Sequence, residues 1–163
     1  MSFSSIARPA LRAVRLSVFA FATLLLAACS NAESRLVLHT GKGDFTFNIE
    51  IADDNAERAK GLMFRDHLAA DAGMLFDYGQ EQLASFWMQN TLIPLDMIFI
   101  GADGVVKNIH VNARPLDTTS IPSEFPVRFV LEIAGGRSQE IGLAVGDKMD
   151  QARVGQPASS SAN

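Results

Sequence analysis

The stretch Arg35-Leu36-Val37-Leu38-His39-Thr40-Gly41-Lys42-Gly43-Asp44-Phe45-Thr46-Phe47-Asn48-Ile49-Glu50-Ile51 decides the fold class. Leu36 and Leu38 alternate with Val37 and His39, and Phe45, Phe47, Ile49 and Ile51 continue with period two beyond Gly41-Lys42-Gly43-Asp44. Successive side chains of a strand point to opposite faces, so two alternating runs joined by a Gly-containing turn predict a β-hairpin with one buried face. Downstream, strands are predicted at Gly73–Phe76, Leu83–Met88, Leu95–Ile100, Val105–Val111, Val127–Ile133 and Val145–Met149. Gly101-Ala102-Asp103-Gly104 supplies a second hairpin turn.

Between them, Asp53-Asp54-Asn55 offers N-cap side chains and negative charge at a helix start. The predicted helix runs from Ala56 to about Arg65, with Ala59, Leu62 and Met63 as its buried stripe and Arg58 and Arg65 on one face. Gly61 weakens its interior and implies close packing there. Arg137–Leu143 is a second short helix, and the Asn112–Pro126 loop is long enough to be functional. Hairpins and meanders in this order predict an α+β domain. Its mostly antiparallel sheet would curl into a small barrel-like domain carrying one or two short helices.

The ends read differently. Arg8, Arg12 and Arg15 precede the apolar run Leu16–Leu26, which is shorter than the roughly 20 residues a spanning helix needs. Residues 1–28 therefore read as a signal peptide. Leu26-Ala27-Ala28-Cys29 resembles the lipobox of bacterial lipoproteins, with Cys29 as the lipidated residue and 29–34 as a tether. A multiply acylated cysteine is a lasting anchor. The expected location is the periplasmic side of the cell envelope, with Ser30 favouring the outer membrane. Residues 35–149 form the single globular domain, and 150–163, polar and small, read as a disordered tail.

Cys29 is the sole cysteine, so the domain has neither a disulfide nor a thiol for catalysis or metal binding. Without the first 28 residues, eleven basic side chains face eighteen acidic ones, a formal charge of −7. A chain with that balance and no basic patch repels nucleic acid and anionic lipid. Gly-x-Ser-x-Gly, His-Glu-x-x-His, phosphate-binding glycine loops and Cys-x-x-Cys are all absent, so the reading leans away from an enzyme and expects no cofactor. Met63, Met74, Met88 and Met97 with His110 could be drawn as a copper site, but they fall within apolar patterns, and no metal is expected.

The densest polar-aromatic feature is Phe86-Trp87-Met88-Gln89-Asn90-Thr91. Alternation sets Trp87 and Ser85 opposite Phe86 and Met88. Trp87 either covers a sheet edge or stacks on a planar ligand beside the Asn90 amide. Asp96 shares a strand face with Ile98 and Ile100, where a carboxylate needs a partner such as Arg58, Arg65, Arg114 or Arg128. Glu132 shares its face with Arg128 and Val130, a pattern that a solvated face also explains. Paired with Asp96, it would suit carboxylate-dependent hydrolysis at a defined separation.

Glu57-Arg58-Ala59-Lys60-Gly61-Leu62-Met63-Phe64-Arg65 is similar to the opening signature of a prokaryotic family, domain of unknown function 192. Gly73-Met74-Leu75-Phe76, Phe86-Trp87-Met88, Asn90-Thr91, Pro94-Leu95-Asp96 and Val130-Leu131-Glu132 follow in the family's order, across Arg35 to Met149. The resemblance implies a small exported or membrane-attached protein with a barrel-like α+β fold and no established activity. The family's recurring polar positions match Arg58, Arg65, Asn90, Asp96 and Glu132. With Trp87 these are the candidate ligand-binding residues, and none is assigned as catalytic. The expected protein is a lipid-anchored envelope module that binds a small polar ligand. The alternatives are the hydrolase and a module that docks other envelope proteins through Asn112–Pro126.

Overall fold

The computed structural model describes residues 33–157, so the signal peptide, Cys29 and most of the tether lie outside the described residues. The expected hairpin is β1 (Arg35–Thr40) with β2 (Gly43–Ala52), antiparallel from Arg35↔Asn48 to Thr40↔Gly43. After them come α1 (Asn55–Lys60), β3 (Ala72–Gln82), β4 (Ser85–Phe86), β5 (Leu95–Ile100) and β6 (Val106–Ala113). The chain closes with β7 (Ile121–Pro122), β8 (Val127–Ala134), α2 (Arg137–Glu140) and β9 (Lys148–Gln151).

Seven strands form one sheet in the order β6-β5-β8-β3-β2-β1-β9, and β4 and β7 pair separately. Every pairing in the large sheet is antiparallel except β2 with β3, the crossover that contains α1. The sheet curls into a half-barrel. Its two outermost strands approach through a Val105↔Lys148 bridge, reinforced by Val106 N–H donating to the Asp147 carbonyl at 2.9 Å.

Strand period puts a core on each face. Leu36, Leu38, Phe47, Ile49, Leu75, Ile98, Ile100, Leu131 and Ile133 pack on one face, which is inside the curl. Leu62, Met74, Phe76, Met88, Leu95, Met97, Phe99 and Val130 pack on the other, roofed by α1 and the connections around it. The central strands β5 and β8 are therefore buried on both faces, as their nearly continuous apolar sequences require.

Three sequence expectations are corrected. The first helix ends at Lys60 instead of Arg65, because Gly61 takes φ 48° and ψ −137° and breaks the turn. Its start is as predicted, with a capping box between Asp54 and Glu57. The strand expected over Leu83–Met88 shrinks to Ser85–Phe86, which pairs with β7 inside the long loop. The chain is also structured past Asp150. Gln151 is buried in β9 and Arg153 is ion-paired to Asp53 at 2.7 Å, so residues 150–157 do not behave as a tail.

Candidate functional site

The outer face of β3 and β8, where α1 and β4 cover it, holds a cavity of about 160 Å³. Arg58, Lys60 and Gly61 approach from the helix, Tyr78 from β3, Phe86, Trp87 and Thr91 from the β4 side, and Glu132 from β8. Phe76 and Phe86 pack edge to face with ring centres 5.0 Å apart, and Phe86 does the same with Phe99 at 6.1 Å. These rings make one rigid wall. Trp87 stands at the mouth, 54 % exposed, as alternation with the buried Met88 requires.

Glu132 is the chemical centre. It faces outward with Val130, flanked by Met97 of β5 and Met74 of β3, and is 4 % exposed. Methionines bring no hydrogen-bond donor, and no side chain or backbone N–H among the described residues donates to its carboxyl. Desolvation therefore pushes Glu132 up to about 8, so it is mostly protonated at neutral pH. Burial likewise raises Tyr78; the nearby Arg58 charge opposes that shift and Glu132 adds to it.

Gly61 keeps access to this carboxyl open. A Cβ there would lie 3.2 Å from the Phe76 ring and 4.0 Å from Glu132 Oε2, and its positive φ disfavours any larger residue. Arg58 is held by the Asp53 and Asp77 carbonyls and the Asn55 side chain, with its guanidinium 5.4 Å from the centre of the Tyr78 ring.

The structure brings Arg58, Trp87 and Glu132 together and leaves the other candidates elsewhere. Arg65 is drawn off by Glu50 in a bidentate pair with two bonds of 2.6 Å, which holds the Glu50 carboxyl below its usual range. Asn90 is a turn residue at φ 57°, with its amide 3.8 Å from Met63 Sδ.

Asp96 lies on the opposite face of the sheet, fully buried, and no arginine meets it. It accepts from the N–H groups of Asn112, Gly136 and Ser138, each at 2.7 Å, and from the Ser138 hydroxyl at 2.6 Å. Gly136, the N-cap of α2, has no side chain of its own, so Asp96 serves as that helix's cap from another strand. Asp96 and Glu132 cannot share a substrate, and the hydrolase pair is excluded. The Asn112–Pro126 loop is anchored to the domain: it buries Ile121, and Asp117 O accepts from Met88 N–H at 2.8 Å.

Sequence reasoning missed Tyr78, the only tyrosine in the chain. It also missed a second polar cluster. Arg128 is buried against Asp77 at 2.9 and 3.1 Å, and Arg153 reaches both Asp77 and Asp53. Burial alone would raise Asp77. The bonds from Arg128, Gly79 N–H and Arg153 outweigh that effect and hold it below the usual carboxylate range. The signal for this cluster was three charges in strands and tail that no local pairing could satisfy.

A curled, mostly antiparallel sheet with a core on each face and two short helices defines the class of this domain as α+β. The chain belongs to the DUF192 family, described as "Uncharacterized ACR", whose model matches residues 37–151; it is an uncharacterised exported domain of unknown specific activity. A Novosphingobium aromaticivorans protein of unknown function is 44 % identical with a TM-score of 0.70, over 71 % of this chain and 83 % of that one. A Sinorhizobium meliloti protein, described as a candidate transcription regulator, is 41 % identical with a TM-score of 0.71, over 73 % of this chain and 93 % of that one. No curated protein matches the chain. No helix among the described residues is long and apolar enough to cross a membrane.

Proposed function

We propose that this protein is a lipid-anchored module of the cell envelope that binds a small polar ligand in the cavity under α1. The observation that carries the reading is Glu132: a carboxyl only 4 % exposed, to which no described residue donates, facing a space large enough for a ligand. Buried polar groups are nearly always hydrogen-bonded, and one that is not invites a partner from outside. Trp87 supplies a stacking surface at the mouth, and Arg58 a fixed positive charge beside it. The anchor is Cys29 in its lipobox-like setting, with the outer membrane favoured by Ser30. Mass spectrometry of protein purified from membranes, compared with Cys29→Ser, tests that part on its own.

The binding reading is tested by thermal shift against sugars, organic acids, amines and nucleotides. A ligand at ~100 times its Kd adds about 2.7 kcal/mol of stability. The expected result is a shift in wild type that Trp87→Ala and Glu132→Gln both reduce. Equal binding by well-folded variants would sink the reading.

A second reading has its own support. Phe64, Leu92 and Leu116 are 49–69 % exposed, and Phe64 N–H and Leu116 N–H bond to the carbonyls of Asn90 and Thr91. Phe64 and Leu116 hold positive φ, a conformation costly for such residues. An apolar rim on strained loops suits a protein partner, and a flat ligand screen would favour it.

A further inference from the structure

The charges around the cavity specify a ligand class, an inference that rests on the small-ligand reading. The inner end carries a carboxyl that lacks donors. The helix side carries cations: Lys60, exposed, and Arg58, with three N–H groups engaged and two uncommitted. Two hydroxyls of the lining are already occupied. The Thr91 hydroxyl bonds Gln89 O, and Ser85 Oγ bonds Ser120 Oγ. The lining also holds the rings of Phe76, Phe86 and Trp87, and aromatic faces attract a compact cation.

We propose that the cavity selects a small zwitterion of the amino-acid type, its ammonium group on the Glu132 carboxylate and its carboxylate toward Arg58 and Lys60. Size agrees. A cavity of about 150 Å³ takes a molecule as large as benzene, roughly six heavy atoms, which is the size of alanine. Charge agrees as well. A simple amine would suffer repulsion from Arg58 and Lys60, and a simple carboxylate would bring no donor to the Glu132 carboxyl. The ammonium supplies three donors to a carboxyl that has none.

Binding is then coupled to a proton. Glu132 is protonated below about pH 8 in the free protein and must ionise to hold the ammonium, so one proton leaves for each ligand bound. The other groups facing it are Tyr78 of β3 and Arg58 and Lys60 of α1, while the residues directly opposite it in register are Met74 of β3 and Met97 of β5.

The test is titration calorimetry with protein expressed from the full chain and purified as the cell processes it. The probes are glycine, L-alanine and D-alanine, with ethylamine and propanoate as single-charge controls. Zwitterions are expected to bind at least tenfold more tightly than either control. Their affinity is expected to rise at least about tenfold from pH 6 to pH 8, with proton release read from buffers of different ionisation heat. Glu132→Gln, whose fold is checked by its melting curve, is expected to lose both the binding and the pH dependence. If propanoate or a neutral sugar binds in a Glu132-dependent way while the zwitterions do not, the cavity reading stands and the zwitterion assignment falls. Alanine binding that Glu132→Gln leaves intact overturns the placement of its ammonium. No binding of these probes, with no shift in the broader screen, overturns both.

Discussion

Asp96 and Glu132 are both buried carboxyls on adjacent central strands, yet the two faces of the sheet treat them in opposite ways. Inside the curl, Asp96 collects four hydrogen bonds and ties the ends of β5 and β6 to the start of α2. Outside it, Glu132 sits between methionines, with no donor among the described residues, and opens onto a cavity. A saturated carboxyl has no capacity left for a ligand, so its role is structural. An unsatisfied one costs stability and remains available. Both side chains end in a buried carboxyl, and what separates them is the inventory of donors.

The comparison can be broken at its stronger side first. Asp96→Ala leaves three N–H groups without an acceptor and should cost about 5 kcal/mol in urea unfolding. A loss under about 1 kcal/mol would mean that the junction is held by something other than this carboxyl. Arg128→Met leaves the buried Asp77 charge with only Gly79 N–H and the more distant Arg153, and should cost about 3 kcal/mol. Because Asp77 is held below its usual range, its contribution is present above about pH 3.8 and fades as the pH falls through its lower folded value. Wild type should therefore lose its advantage over the variant in acid.

Glu132 predicts the reverse sign. Its carboxyl is raised from 4.5 to about 8, so the stability of the protonated form is fully present below pH 4.5 and is lost as the pH rises through about 8. Glu132→Gln should match wild type near pH 4.5 and exceed it by a few kcal/mol near pH 8, read from melting curves across that range. A variant that loses stability at both ends would show that the carboxyl has a partner. The smallest effect belongs to Arg65→Ala, at most about 1 kcal/mol and weaker in salt, because its pair with Glu50 is largely exposed.

These particulars also mark how far sequence reading reaches. The β1–β2 hairpin, the Asp54 start of α1 and the strands β5 and β8 were legible because alternation and capping are local. Arg58, Trp87 and Glu132 were singled out and do line one cavity. Arg65 was grouped with them because a helix extended through Gly61 would share its face with Arg58. Tyr78 was passed over because nothing local distinguishes a strand tyrosine under a helix from one in solvent.

What the sequence by itself determined is therefore which residues alternate, where turns and caps fall, and the family to which the chain belongs. Strand order decided the rest. Nothing local says that β8 lies between β5 and β3, or that β2 and β3 run parallel with α1 laid over the join. That arrangement buries Glu132, gives Asp96 its backbone donors from two distant segments and separates the carboxyls by the thickness of a sheet. The physical reason is that a hydrogen-bond acceptor is satisfied or left wanting by groups far away in the chain, and only the folded sheet brings those groups within bonding distance.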